Sequence, residues 1–169
     1  MLGIFSAKSG HPLADAKEAR RVLNELSARD AAPALDEISG WLESIAADEV
    51  LKLADRLALV FQLDEAAQTH VRKLGRDYLT SPRLGRQQEY KLWQANHDFW
   101  AQLGNAYDSC LTRYREQEKG SEAIKSDVPL LIVRMLRAYS GQLKWDQFRY
   151  GPINAELWQR MGRAYLFAE

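Results

Sequence analysis

Two long runs of this chain space their inward-facing residues at alternating steps of three and four, and nothing else in it constrains the fold as much. Leu57, Val60, Asp64, Ala67, Val71, Leu74 and Tyr78 make the first run; Trp93, Asn96, Trp100, Leu103, Tyr107, Cys110 and Tyr114 make the second. Steps of three and four keep side chains on one stripe of an α-helix, whereas a half-buried strand needs alternation by two. No segment alternates in that way for long. The chain is therefore expected to be all-α, with essentially no sheet.

The five prolines punctuate this pattern. Pro12, Pro33, Pro82, Pro129 and Pro152 each fall where the periodicity restarts, which suits a residue tolerated in a first turn and excluded from a helix interior. Asp15 and Glu18 resemble a capping box, opening a helix that turns Ala19, Val22, Leu23 and Leu26 inward. A second helix starts near Pro33 and carries Leu35, Ile38, Trp41, Leu42 and Ile45 on one face. The third is predicted from about Asp48 to Tyr78, and the fourth from roughly Leu84 to Glu118, with Gly120 as its cap. A short turn over Ser121–Lys125 leads through Asp127-Val128-Pro129 into a helix facing inward with Leu131, Ile132, Met135, Tyr139 and Leu143. That helix is predicted to end between Gly141 and Asp146, and the last helix to run from around Pro152 to Glu169. The expected architecture is an antiparallel helical bundle or helix-hairpin array of about six helices, since short connections favour antiparallel neighbours. Residues 1–12 are expected as a flexible tail and 13–169 as a single helical domain, with a candidate subdomain seam near Pro82. The aromatic content shifts there: four of the Phe, Tyr and Trp residues lie at or before residue 80 and thirteen after it.

Composition narrows the function classes. A chain of 169 residues suits one domain, long enough to bury roughly 70% of the surface its unfolded form exposes. Lys and Arg total 23, as do Asp and Glu, so no global field gathers nucleic acid or an anionic membrane. Cys110 is the lone cysteine, which precludes an internal disulfide and a cysteine-based zinc site and suits a reducing compartment. The opening Met1–Lys8 is too short in apolar residues for a secretory or membrane segment. The expectation is a cytoplasmic protein with no nucleic-acid or membrane partner.

One phrase occurs twice: Trp100-x-x-Leu103-Gly104-x-x-Tyr107 and Trp158-x-x-Met161-Gly162-x-x-Tyr165. On a helix it sets a large ring, an aliphatic, a glycine and a second ring along one stripe, and the glycine lets a neighbouring helix come close. The phrase resembles the signature of the first helix of a tetratricopeptide repeat. That resemblance implies paired helices that hold peptides or partner proteins. The two phrases stand 58 residues apart, against a family period of about 34, so what they resemble is tetratricopeptide-like helix packing in the C-terminal half rather than a repeat array.

A second resemblance rests on His11-Pro12-Leu13-Ala14-Asp15 and on Asp55-Arg56-Leu57 continuing to Ala67. These stretches are similar to helical N-terminal portions of bacterial proteins related to cyclic-di-GMP receptors of the PilZ type. The PilZ ligand pattern combines R-x-x-x-R with D/N-x-S-x-x-G on a β-barrel. Arg72 and Arg76 have the first spacing but lie on a predicted helix, and the second pattern is missing. The resemblance implies the part of such a protein without the barrel.

Residues able to do chemistry are few. His11, His70 and His97 show no H-E-x-x-H or E-x-x-H spacing and are expected to be structural. His97 and Asp98 diverge by about 100° on a helix and are not expected to form a ligand pair. Cys110, on a ring-lined seam, is expected to be a buried inert thiol. Asp64 is costly on an apolar seam unless paired, and Arg72, Arg76 or a residue of the long helix is expected to fix register with it. Asn96 invites the same reading. Lys144-Trp145-Asp146-Gln147-Phe148-Arg149-Tyr150 interleaves rings with cations, and is read as a helix end with snorkelling side chains. No catalytic residue, metal ligand or cofactor site is expected. The leading expectation is a non-enzymatic helical interaction or adaptor module, the N-terminal regulatory part of a larger bacterial signalling protein. Trp158, Tyr165 and Phe167 on the last helix are its candidate partner-binding residues, for a protein partner or for self-association. The alternative is a cyclic-dinucleotide sensor in which Arg72, Arg76, Arg83 and Arg86 grip the anionic nucleotide.

Overall fold

The structure is a computed structural model that describes residues 11–80, 85–116, 122–148 and 155–165. Among these residues every regular element is helical, as the spacing requires. A short 3-10 turn over Pro12–Ala14 leads into α1 (Ala16–Ala28), α2 (Ala31–Ala47), α3 (Leu53–Thr80), α4 (Arg86–Glu116), α5 (Glu122–Lys125), α6 (Val128–Phe148) and α7 (Ala155–Tyr165). Helix α4 is the axis of the bundle. It packs against α2, α3 and α6, while α1 leans on α2 and α3, and α7 leans on α6. One core cluster runs from Leu13 to Met161.

Local chemistry sets the helix starts. The Asp15 carboxylate accepts the N–H groups of Lys17 and Glu18, each at 2.9 Å, satisfying two donors that the first turn leaves without a helical partner. Glu18 turns away to Arg21, so the reciprocal half of the expected capping box is replaced by an exposed ion pair. Pro33 is the third residue of α2 and Pro129 the second of α6, where a missing N–H costs no helical hydrogen bond. Pro82, Gly120, Ser121 and Pro152 lie outside the described residues, as do residues 1–10 of the predicted tail. His11, assigned to that tail by sequence, is instead buried against α2.

Two predicted boundaries are corrected. Helix α3 starts at Leu53, five residues later than Asp48, because the Asp48 carboxylate accepts from Val50 and Leu51, each at 2.9 Å, and closes a turn. Arginines grip that turn from both sides. Arg56 of α3 donates to the carbonyls of Ala46 and Asp48 and to Ser109, and Arg113 of α4 donates to the Leu51 carbonyl at 2.8 Å. Helix α6 runs on to Phe148 instead of ending between Gly141 and Asp146. Gly141 sits inside it because the indole of Trp100 lies where a Cβ would project.

That contact has a reciprocal. A Cβ on Gly104 would come within 2.6 Å of the Tyr139 ring, so each helix offers a glycine to the other's aromatic side chain. Further along, the Trp93 indole N–H donates to the Trp145 carbonyl at 2.7 Å, which makes α4 and α6 antiparallel. Trp145 is buried in that interface, so the interleaved segment around it contributes to the core. The second phrase, on α7, is used differently: a Cβ on Gly162 would meet nothing within 4 Å, and Trp158 is 51% exposed.

The His11 position carries a pH prediction. Its Nδ1 accepts the Leu13 N–H at 3.2 Å and its Nε2 lies 2.6 Å from Ser44 Oγ, an arrangement that needs a neutral ring. Burial lowers its pKa below the ordinary 6.5, with Asp48 opposing more weakly. The unfolded chain takes up this proton near 6.5 while the folded chain resists it, so His11 supports stability fully above that pH and less as pH falls below it. Urea midpoints measured from neutral into the mildly acidic range should fall in the native chain and fall less in His11→Gln. Equal slopes in both would show that His11 is not the source.

Candidate functional site

The most unusual group in the core is Asp64, fully buried on α3. Its carboxylate accepts from the Tyr107 hydroxyl of α4 at 2.7 Å, from Gln68 Nε2 at 2.6 Å and from Arg137 Nη2 of α6 at 2.6 Å; Arg134 Nη1 approaches at 3.4 Å. Arg134 also lies over the Phe61 ring and reaches Glu65. The ion pair expected at this position is therefore present; the long helix contributes a hydrogen bond from the neutral Tyr107 hydroxyl and not the paired charge. Arg72 and Arg76 take no part: both are exposed further along α3, and the cations come from α6. The node ties three helices together. Burial, followed by the adjacent Asp64 charge, pushes the Tyr107 phenol far above its ordinary pKa, so it acts as a fixed donor and not as an acid.

The other chemistry-bearing residues are equally committed to packing. Cys110 is buried, and burial raises its pKa to about 12 against the weaker pull of Arg56 and Arg113. A thiol held protonated in this way is a poor nucleophile. His70 is buried on α3. His97 stacks on Trp93 and contacts Asp98 Oδ1 at 3.0 Å and Asp146 Oδ1 at 2.9 Å. Sequence spacing had spoken only against His97 and Asp98 as a ligand pair, and it did not suggest Asp146. Asn96 is fully buried, and neither amide atom has a hydrogen-bond partner among the described residues, so it pairs with nothing across the seam. No group of three or more His, Cys, Asp or Glu among the described residues is placed to hold a metal ion.

Two surface features bear on the partner and nucleotide expectations. One is a cleft of about 700 Å3 over the outer face of α4, lined by Ala46, Arg56, Asp108, Ser109, Arg113 and Arg160 among others. A smaller hollow of about 120 Å3 shares Asp108, Thr112 and Arg160 with it and adds Arg115 and Arg163. Arg160 is held by Asn105 at 2.8 Å and Glu156 at 2.7 Å. Of the arginines assigned to nucleotide by sequence, Arg72, Arg76 and Arg86 are exposed and Arg83 lies outside the described residues. None of the three described ones lines either hollow. The second feature is α7. Leu157 and Met161 are buried, while Glu156, Trp158, Gln159, Gly162 and Arg163 face outward. Phe167 lies outside the described residues, and α7 is described at Tyr165 for its backbone alone.

The molecule is an all-α helical bundle whose buried polar groups brace its helices. No described helix is long and apolar enough to cross a membrane. Residues 17–169 match the family described as the N-terminal domain of the cyclic-di-GMP receptor FimW, and the chain belongs to that family. The resemblance carried by His11–Asp15 and Asp55–Ala67 pointed towards such receptors. Neither a curated protein nor a solved structure matches the chain.

Proposed function

We propose that this chain is a non-enzymatic contact domain of a cytoplasmic cyclic-di-GMP receptor, acting by docking protein and not by chemistry or by gripping the nucleotide itself. The observation that supports this most is the contrast between core and surface. Asp64, Cys110, His11 and His97 are each taken up in packing, whereas Trp158 holds a large apolar ring half in water on α7. A ring left exposed in this way is what interaction surfaces offer. The tetratricopeptide-like pairing of later helices is part of the same proposal, with Trp100 and Gly104 as its internal example.

A second reading is favoured by one specific feature. Arg115, Arg160 and Arg163 converge with Thr112 on the small hollow between α4 and α7, a donor set suited to a phosphodiester. Asp108 in the same hollow, and Glu156 on Arg160, offset that charge and weigh against it. Titration calorimetry with cyclic-di-GMP separates the two. A contact domain gives no saturable heat. Saturable heat that disappears in Arg163→Ala replaces the contact reading with direct nucleotide capture.

A further inference from the structure

Helices α4 and α6 show how this chain packs rings against glycines. Trp100 lies over Gly141 and Tyr139 over Gly104 in an antiparallel pair, with ring and glycine four residues apart on α4 and two apart on α6. Helix α7 presents the α4 spacing, ring and glycine four apart, with no described helix against them. Trp158 is 51% exposed, and Gly162, one turn on, has open space where a Cβ would be. Residues four apart sit on one helix face about 6 Å apart. An antiparallel partner presenting the same pair would place its glycine opposite Trp158 and its own ring opposite Gly162.

Charge selects the partner. Helix α7 carries Glu156 in its first turn and Arg163 in its last. These two residues, seven apart, share one flank of the outward face. In an antiparallel pairing of identical helices each Glu156 meets the opposite Arg163, twice over. A parallel two-fold pairing would carry this flank to opposite sides of the seam, so neither Glu156 nor Arg163 would meet its opposite charge. We propose that a second copy of this chain docks on α7 by two-fold antiparallel pairing, Trp158 of each copy lying over Gly162 of the other. The arrangement is self-complementary, as a two-fold interface must be. Glu156 also accepts from Arg160 of its own helix through Oε1, which holds the carboxylate on this flank.

The pairing deepens the contact-domain reading by naming the partner. A chain that stays monomeric sinks the pairing and leaves that reading standing, whereas saturable cyclic-di-GMP heat sinks the reading and leaves the pairing. The test is sedimentation equilibrium of the full chain from low micromolar to near millimolar concentration. The native chain should dimerise, and Trp158→Ala should weaken the dimer by about 30-fold or more. Gly162→Leu is the sharper variant. Leucine adds apolar surface and favours the helix, so a merely greasy contact would tighten, while a ring seated on glycine is blocked and the dimer is lost. Both residues are exposed, and retained circular-dichroism helicity and melting temperature confirm that the variants are folded. Glu156→Arg or Arg163→Glu alone should weaken the dimer and the two together restore it. A monomer throughout, a dimer strengthened by Gly162→Leu, or a charge swap that fails to restore pairing would each overturn the proposal.

Discussion

Asp64→Ala is expected to lower the unfolding free energy by about 3–5 kcal/mol, the usual consequence of removing one member of a buried ion pair. The carboxylate is wholly buried and receives donors from Tyr107, Gln68 and Arg137, so its loss leaves the Tyr107 hydroxyl and the Arg134 guanidinium without their shared acceptor. The donors should not be equivalent. Tyr107→Phe removes a buried hydrogen bond to a charged group and should cost about 1.5–3 kcal/mol. Arg137 is 44% exposed, water can replace much of what it gives, and Arg137→Ala should cost under about 1 kcal/mol. Asp64→Asn keeps the shape and removes the charge, so it should fall between Asp64→Ala and the native chain. Urea denaturation orders the four variants through their midpoints. If Asp64→Ala proves no worse than Arg137→Ala, the node is incidental to the fold.

How far this node was legible in the sequence follows from where its members lie. Asp64 stood out because a carboxylate interrupts an otherwise apolar three-four stripe, and that local anomaly is visible without coordinates. Its cations were not, because Arg134 and Arg137 lie 70 and 73 residues away on α6. They sit among apolar residues in the pattern expected of a solvated flank, and only the antiparallel pairing of α3, α4 and α6 turns that flank inward. The long stripes were readable for the same reason that Asp64 was: each repeats a local rule over many turns. Boundaries failed where a side chain overruled the period. Asp48 folded its carboxylate onto Val50 and Leu51, and Gly141, which looks like a helix end, proved to be a seat for Trp100. Trp100 and Trp158 make the limit plain. They occupy the same phrase, yet one is buried and the other half exposed, because Gly141 stands opposite the first.

The glycines provide the second large effect, and its sign changes from site to site. Alanine is favoured over glycine inside a helix by about 0.8–1 kcal/mol, so a glycine substitution should stabilise wherever space allows. At Gly75 a methyl group would meet nothing within 4 Å, and Gly75→Ala should therefore raise stability by about 0.5–1 kcal/mol. At Gly141 the new methyl would run into the Trp100 indole, and at Gly104 it would come within 2.6 Å of Tyr139. Neither ring can retreat cheaply, since Trp100 and Tyr139 are both buried between α4 and α6. Overpacking of this kind costs about 1–3 kcal/mol, enough to outweigh the helix-propensity gain and lower the melting temperature. The coupling is testable as well as the sign. Trp100→Leu clears the space above Gly141, so Gly141→Ala should cost less in that background than in the native chain, and Gly75→Ala should gain the same in both. Melting curves of the six chains settle it. A Gly141→Ala variant more stable than the native chain would mean that α4 and α6 do not approach through their glycines, and the ring-on-glycine pairing drawn for α7 would lose its internal precedent.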